Sequence, residues 1–413
     1  MIEWSETHAQ IRDLVKRFVD AEVKPNLHEL EHGDMPPYPI LRKMFATFGV
    51  ADLAVMRAEK AAARARKREE ARARGETLEV VERAEPGEQV AMQMISIIEL
   101  SRYCPGMVTA LGVSAGLTAG TIMSRGTARQ IDRWVKELLT LEKVGSWAIT
   151  EPGSGSDAFG SMKATARRSD GGYLLSGNKT FITNGPHADV IVFICKLDDG
   201  NDPRDRKVLS FVVERGANGL TQTKALRKMG LHSSPTGELF LEDVFVPADQ
   251  LLGETEEVSY RTGAKDTFTA ERTGVAAMAL GIIEECLARS VEYAKTRVQF
   301  GRPIGEFQLI QLKLARMEVA RMNVQNLVYR MIELAIAGKK MQLAEASACK
   351  LYCAQAASEV AMEAVQLFGG NGYMAEFRVE QLARDAKVLQ IYGGTDEIQV
   401  SQIARSLMEV RGG

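Results

Sequence analysis

The spacing of hydrophobic side chains changes twice along the chain. Up to residue 145 it is helical, with apolar positions such as Ile11, Val15 and Phe18 separated by three or four residues. From 146 to 256 short apolar runs alternate with turn residues, which predicts strands. From 257 the helical spacing returns in long segments. The pattern predicts an α+β chain in three parts: an N-terminal helical domain (1–145), a middle β domain of sheet or barrel-like form (146–256) and a C-terminal bundle of long helices, of four-helix type (257–413).

The same pattern predicts the individual elements. Turn residues within 173–183 predict two short strands around a Ser176-Gly177-Asn178 turn. Further strands are predicted over 144–149, 190–195, 208–213 and 238–246. Long helices are predicted over 264–296, 307–336, 342–368 and 395–410.

Within the segment 57–88, residues 61–74 have almost none of the large apolar side chains that anchor a helix to a core. The segment is rich in Ala, Arg, Lys and Glu, which are strong helix formers. A helix that is polar all round is typical of a segment that extends from the core into solvent. We predict such a solvated excursion here. The alternative is a basic arm for a partner protein or a lipid surface. The acidic residues that close the segment disfavour it: Glu76, Glu79, Glu82 and Glu85.

Composition bounds the class of protein. The 413 residues suffice for two or three packed domains, and 45% apolar with 26% charged residues is typical of a globular chain. A formal charge of −2 gives no reason to expect nucleic acid as a partner. Because the N-terminus is unlike a signal peptide and no run of about 18 apolar residues occurs, we predict a cytoplasmic protein without a membrane span. The five scattered cysteines are predicted to be buried free thiols.

Glycine-rich segments supply the candidate chemistry. Thr150-Glu-Pro-Gly-Ser-Gly-Ser-Asp157 follows a predicted strand, and its glycines let backbone N–H groups surround an anion. Further along come Phe181-Ile-Thr-Asn-Gly185 and a loop between two long helices, Arg297-Val-Gln-Phe-Gly-Arg-Pro-Ile-Gly-Glu-Phe-Gln308. Near the C-terminus, glycine turns at 369–370 and 393–394 each open onto a helix-like segment. Their spacing predicts that both turns converge on one phosphate-rich ligand.

In this order the segments resemble the acyl-CoA dehydrogenase family of flavoenzymes, over about 144–410. The resemblance implies FAD as cofactor, with Trp147 and Thr150 beside the flavin ring, Phe181 and Thr183 near its N5, and Ser156 near the pyrophosphate. It also implies that a second group of residues holds the FAD of a neighbouring subunit: Arg297, Phe300, Gln308, Gln366, Gly370 and Thr395. A homotetramer is therefore expected, with an acyl-CoA as substrate and electron-transfer flavoprotein as oxidant.

The chain departs from the family pattern at the residue after Tyr392. Many members carry a catalytic glutamate there, whereas this chain has Gly393, which offers no base. Isovaleryl- and long-chain-type branches place the glutamate on the first long C-terminal helix, directly before an arginine, and Glu271 and Arg272 match that pair. Glu271 is therefore predicted to remove the substrate α-proton, aided by burial that raises its pKa. Substrate contacts are implied for Ser156, Phe268, Arg272, Tyr392 and Gly393.

Other activities stay open at this point. An acyl-CoA oxidase or a flavin-dependent monooxygenase would share the fold, although monooxygenase relatives lack the glutamate that Glu271 matches. A non-catalytic subunit of a hetero-oligomer is a further alternative, which the intact glycine turns disfavour. The sequence does not indicate the length or branching of the acyl chain.

Overall fold

Helices form the first part of the fold. A computed structural model describes residues 3–75, 87–257, 264–339 and 341–409. The helices before the first strand are α1 (Glu6–Phe18), α2 (Leu27–His32), α3 (Tyr38–Thr47), α4 (Val50–Ala73), α5 (Gly87–Ser101), α6 (Pro105–Leu111), α7 (Ala119–Arg125) and α8 (Ala128–Leu139). Helix α8 begins at a capping box, in which the Thr127 hydroxyl accepts from the Gln130 N–H and the Gln130 side chain accepts from the Thr127 N–H.

A seven-stranded sheet follows the helices. Its strands are β1 (Gly145–Ala148), β2 (Thr165–Ser169), β3 (Gly172–Thr183), β4 (Val190–Leu197), β5 (Val208–Glu214), β6 (Leu220–Gln222) and β7 (Thr236–Pro247). Strand β4 pairs with β1, β2 and β5, and all of its residues are buried. Such a continuous apolar strand is typical of a sheet that is covered on both faces.

Long helices make up the last part of the fold, as predicted. They are α9 (Ala264–Thr296), α10 (Gln308–Ile336), α11 (Leu343–Phe368), the shorter α12 (Val379–Val388) and α13 (Asp396–Glu409). A two-stranded hairpin of β8 (Val298–Gln299) and β9 (Arg302–Pro303) joins α9 to α10. The predicted α+β class, with a sheet between two helical parts, is confirmed.

Helix α9 is the centre of the helical core. It contacts α5, α10 and α11. Every residue of its middle turns, from Val275 to Ile283, is buried. Helix α11 contributes small side chains to the same core, among them Ala354, Ala357 and Ala361. Small residues let two helices approach closely, so the backbone of α9 is held firmly next to α11. All five cysteines are buried free thiols.

The stretch 173–183 is one strand, so the prediction of two strands around a turn is wrong. Gly177 lies inside β3 with φ +147°, and the register with β7 shifts between Leu175 and Gly177. A Cβ at this glycine would lie 2.6 Å from the Cβ of Ala164. The glycine therefore marks a β-bulge and a close approach of backbone, not a reversal of the chain.

Helix α4 is packed against the protein, so the predicted solvated excursion is wrong for residues 57–75. One face of α4 consists of buried alanines, among them Ala58, Ala62 and Ala65, and it contacts α8 beside the buried Trp134. Alanine brings the two helix backbones close together without a large side chain. Residues 76–86 of the predicted charged segment lie outside the described residues.

One helical stretch, Pro105–Arg125, is long and apolar enough to cross a membrane by length and composition, with a mean hydropathy of 1.4. Half of its most apolar window is buried inside the protein. The stretch is also tied to the sheet, because the Ser114 hydroxyl accepts from the Gly145 N–H at 2.9 Å. Core helices pass the same test of length and composition, and these contacts place the stretch among them.

The packing of α4 on α8 predicts the effect of a larger side chain. We expect Ala62→Leu to lower the free energy of unfolding by about 1–3 kcal/mol, because the added atoms must push α4 away from α8. Denaturant unfolding checks this, with the neighbouring exposed position as the matched control, Ala63→Leu. Equal stability of the two variants would show that α4 does not pack on α8 in solution.

Candidate active site

A large cavity lies between the helical parts and the sheet. Its volume is about 3140 Å³, and residues from all three parts of the chain line it. The predicted site residues on its wall are Trp147, Thr150, Ser156, Phe181, Thr183, Glu271, Arg272, Tyr392, Gly393 and Thr395. Phe268 lies on the first turns of α9, and its side chain is outside the described part of the chain. The fold thus brings together residues that are more than two hundred positions apart.

Glu271 and Gly393 are neighbours on the wall of this cavity. A Cβ built on Gly393 would lie 3.4 Å from Cδ and 3.6 Å from Oε1 of Glu271. Gly393 has φ +62°, a conformation that favours glycine. The carboxyl group from α9 therefore reaches the place that a side chain on the residue after Tyr392 would approach.

Burial dominates the acidity of Glu271. Removal from water disfavours the charged carboxylate and raises its pKa to about 7. The positive charges of Arg272 and Lys350 act in the opposite direction and limit the rise. A carboxyl group with a pKa in this range can accept and release a proton near neutral pH.

The turn at Gly393 and Gly394 is held from behind by two residues that the sequence analysis missed. Lys350 of α11 donates to the carbonyl of Gly394 at 2.8 Å, and its Nζ lies 3.6 Å from Asp396. The side-chain amide of Gln399 donates to the carbonyls of Gly393 at 3.1 Å and Gly394 at 2.7 Å. The sequence does contain a signal for Lys350. This lysine falls on the buried face of α11, where most of the other residues are small or apolar.

Arg272 and Tyr392 complete this side of the cavity. The Arg272 guanidinium is buried and donates to the Ser347 hydroxyl at 3.0 Å, and burial lowers its pKa. The Tyr392 hydroxyl donates to Sδ of Met278 at 3.3 Å and lies 3.5 Å from Oγ1 of Thr109. Thr395 directly precedes α13, and its hydroxyl accepts from the Ile398 N–H as a helix cap. Asp396 and Glu397 occupy the first turn of α13.

A buried ion pair supports the glycine-rich loop on the opposite side. Lys179 of β3 is fully buried and donates to Glu151 at 2.8 Å and to the carbonyl of Ile149 at 2.9 Å. The Glu151 carboxylate also accepts from the N–H groups of Lys163 at 2.7 Å and Ala164 at 3.0 Å. Both ends of the loop are therefore fixed to the sheet, while Ser156 at its tip stays exposed to the cavity.

Phe181 projects from a second irregularity of β3. Its φ is +57°, the register with β7 shifts between Lys179 and Ile182, and 69% of the side chain is exposed. Three residues later, the Asn184 amide donates to the carbonyls of Ala110 and Gly145, both at 2.9 Å, and accepts from the Tyr38 hydroxyl. The Asn184 contacts lock the strand end to the helices, and the bulge presents an aromatic face and Thr183 to the cavity.

The other predicted cofactor residues lie elsewhere. Arg297, Phe300, Gln308, Gln366 and Gly370 are exposed, and none of the five lines the cavity in the described chain. The Phe300 side chain is 94% exposed. The prediction that both glycine turns converge on one ligand is thus wrong within a single chain. Only the turn at 393–394 reaches the cavity, because the turn at 369–370 ends α11 on the outer surface.

The cavity combines a buried carboxyl group with an exposed glycine-rich loop. A carboxyl group with a raised pKa can exchange a proton near neutral pH, and the backbone N–H groups of a glycine loop can hold an anion.

Comparison with known proteins specifies the class further. The middle domain of acyl-CoA dehydrogenases matches residues 146–244, and their C-terminal domain matches residues 262–408. The chain is 34% identical to an acyl-CoA dehydrogenase of Bacillus subtilis over 404 residues, which cover 98% of each chain. It is 36% identical to mitochondrial isovaleryl-CoA dehydrogenase of Arabidopsis thaliana over 315 residues, 76% of each chain. Butyryl-CoA dehydrogenase from Megasphaera elsdenii has a similar structure, with a TM-score of 0.82, 32% identity and coverage of 99% of this chain and 100% of that chain.

The chain belongs to the acyl-CoA dehydrogenase family and is an oxidoreductase of that class. The family is FAD-dependent. The residues present here fit that cofactor: an aromatic face at Phe181, hydroxyl groups at Thr150 and Thr183, and an open glycine loop. A Cβ at Gly155 would meet no atom within 4 Å, so the loop leaves room for a ligand against its backbone.

The Lys179–Glu151 pair predicts the effect of a mutation behind the glycine-rich loop of the cavity. We expect Lys179→Met to destabilise the protein by about 3–5 kcal/mol and to cause loss of FAD, because the Glu151 charge stays buried without its partner. Thermal unfolding and the flavin content of the purified protein measure the two effects. The exposed Lys163→Met is the matched control, and similar behaviour of both variants would contradict the structural role of the pair.

Proposed function

We propose that this protein is an FAD-dependent dehydrogenase that converts an acyl-CoA thioester into the trans-2-enoyl-CoA. The observation that carries the proposal is the position of the Glu271 carboxyl group beside Gly393, with a pKa raised to about 7. The residue after Tyr392 cannot act as a base, so the carboxyl group on α9 is the base available at the same place.

In the proposed reaction Glu271 accepts the proton from the α-carbon of the thioester. FAD, when bound against Trp147, Thr150, Phe181 and Thr183, supplies the acceptor for the hydride that leaves the β-carbon. The backbone at Gly393 lies next to the carboxyl group and is the proposed hydrogen-bond donor to the thioester carbonyl, which acidifies the α-carbon. The Lys350 and Gln399 contacts hold the carbonyls of this turn on the side away from the proposed donor.

The acyl group is proposed to lie in the apolar part of the cavity beyond Glu271. Side chains from three helices line that part, including Ile97 and Leu100 of α5, Met278 of α9 and Met331 of α10. Burial is the physical cause of the raised pKa of Glu271, and an apolar acyl group bound beside it would remove more water from the carboxyl group. The contacts implied for Ser156, Phe268, Arg272 and Tyr392 belong to the same proposal.

Assembly is part of the proposal. Exposed apolar side chains cluster near the β8–β9 hairpin and along α10: Val298, Phe300, Leu309, Leu312, Val319 and Met322. A homotetramer would cover them and would bring Arg297, Gln308, Gln366 and Gly370 to the FAD of a neighbouring subunit. Electron-transfer flavoprotein is the proposed oxidant, and similarity to a subunit of a caffeyl-CoA reductase–Etf complex supports it. A cytoplasmic location remains a prediction from the sequence.

Replacement of the base tests the mechanism directly. We expect Glu271→Gln to retain FAD but to slow anaerobic flavin reduction by acyl-CoA by roughly 10²–10⁴, the usual contribution of a positioned base. In the wild type the reduction rate should rise with pH through about 7, because the carboxyl group must lose its proton before it accepts another. The bleaching of the flavin's visible band measures both. Reduction of the variant at the wild-type rate, or a wild-type rate that falls across this range, contradicts the assignment.

The contact between Glu271 and Gly393 predicts that the base can be moved. We expect Glu271→Gly combined with Gly393→Glu to reduce flavin about tenfold or more faster than Glu271→Gly alone, since a positioned base contributes at least that much. Recovery should stay partial because φ +62° costs a side chain about 1–2 kcal/mol.

Glu271→Gly with Gly393→Ala is the matched control, since it has the backbone strain without the carboxylate. Equal flavin reduction by the two double variants would show that position 393 does not approach the reacting carbon.

A further inference from the structure

One flank of helix α4 carries a line of positive charge along the wall of the active-site cavity. Arg57, Lys60, Arg64 and Arg68 are spaced by three or four residues, so they lie on one side of the helix, and all four line the cavity. Glu59 does not line it, whereas Glu69 does, and the Glu69 carboxylate accepts from the Ala128 N–H at 2.7 Å. We call these four side chains the cationic stripe.

The cationic stripe is held in a fixed position relative to the cavity. The alanine face of α4 packs on α8, and the Arg68 guanidinium donates to the carbonyls of Ser124 and Gly126. Arg72, one turn further, donates to the Thr255 hydroxyl at 2.9 Å, close to the segment that leads into α9. The stripe is therefore anchored to both walls of the cavity, not carried on a detached arm.

Lys60 and Arg64 at the centre of the stripe are exposed and have no hydrogen bond or ion pair with any residue in the described ranges 3–75, 87–257, 264–339 and 341–409. Like charges at this spacing repel each other and destabilise a helix. The whole chain is not basic, since its formal charge is −2. A local run of cations that costs stability and faces a ligand cavity indicates an anionic ligand.

The length and charge of the stripe favour a ligand with several phosphate groups. From Arg57 to Arg68 the helix rises about 16 Å at ~1.5 Å per residue, so three or four cations can contact separate anionic groups along one ligand. A single carboxylate would neutralise only one of them. An acyl-CoA carries a diphosphate and a 3′-phosphate at its nucleotide end, and its thioester must reach Glu271 in the same cavity.

We propose that Arg57, Lys60 and Arg64 bind the phosphate groups at the nucleotide end of the acyl-CoA substrate. The proposal rests on the proposed function for the identity of the substrate. It assigns α4 a role in holding the carrier part of the substrate, while α9 and the Gly393 turn act on the acyl part. Guanidinium and ammonium groups are the usual protein partners of phosphate.

Binding of CoA itself tests the proposal without turnover. We expect the double variant Lys60→Met/Arg64→Met, loaded with FAD, to bind CoA and adenosine 3′,5′-bisphosphate about tenfold more weakly in calorimetric titrations, as expected for the loss of two charged contacts to phosphate. The dependence of binding on salt should also decrease. Flavin reduction by an acyl-pantetheine, which lacks the nucleotide, should show the same concentration dependence in wild type and variant.

The matched control removes two charges from the same helix outside the cavity wall. Arg66→Met/Lys67→Met serves because neither residue lines the cavity, and Arg66 pairs with Asp132 of α8 at 3.0 Å. Unchanged CoA affinity in the stripe variant, or an equal loss in this control, overturns the proposal. So does an equal loss of affinity for the acyl-pantetheine, which would indicate a distorted cavity.

Two further outcomes would assign the stripe to another anion and would also overturn the proposal. Loss of FAD from the stripe variant would indicate that the diphosphate belongs to the cofactor. Weaker binding of an acyl carrier protein with unchanged CoA affinity would indicate an acidic protein surface. If the wild type binds CoA through the stripe but no acyl-CoA bleaches the flavin, the proposed dehydrogenation fails and the assignment of the stripe stands.

Discussion

The geometry of the active site depends on a turn that has no side chains. Gly393 and Gly394 have φ +62° and +88°, conformations that L side chains rarely adopt. A Cβ on Gly394 would lie 2.7 Å from Nε2 of Gln399, so a larger residue would break the contact that holds the turn. At Gly393 the free volume is taken instead by the Glu271 carboxyl group. A base on α9 and a side chain after Tyr392 compete for one space, and in this chain the base on α9 occupies it.

Buried charge fixes both walls around this space. On the helical wall Lys350 contacts the turn, and on the sheet wall Lys179 and Glu151 hold the glycine-rich loop. Charges buried in this way cost desolvation energy and are retained where their hydrogen bonds define a geometry. Asn184 then joins the two walls, because it bonds to carbonyls of α6 and β1 and to a tyrosine of α3. The distance between the base and the cofactor loop is therefore set by polar contacts inside an apolar core.

Much of the fold follows from the sequence because its long helices and apolar strands have strong periodicity, as in α9 and β4. The largely polar strand β2, which lies between β3 and β4, and the short β6 lack that signal and were not predicted. Glu271 was predicted from its neighbour Arg272 and from the glycine at 393. Lys350 and Lys179 were not predicted, because their hydrogen-bond partners are 44 and 28 positions away and only the fold brings them together. Gln399 was not predicted either, although its partners Gly393 and Gly394 are only six and five positions away. The packing of α4 was missed because alanine gives no hydrophobic periodicity that separates a buried face from a solvated one.

Helix α4 shows how one element can add charge to an active site without disturbing its base. Alanine brings α4 against α8 while long cationic side chains stay on the adjacent flank, so packing and charge occupy different sides of one helix. The pKa of Glu271 responds to burial, Arg272 and Lys350, and no cation of α4 contributes to it. Salt and water screen the charges of an open cavity, so the stripe can attract an anion at the wall while burial controls the pKa of Glu271. In the proposed reaction, separation of the two charged regions lets one cavity bind a highly charged carrier and still remove a weakly acidic proton.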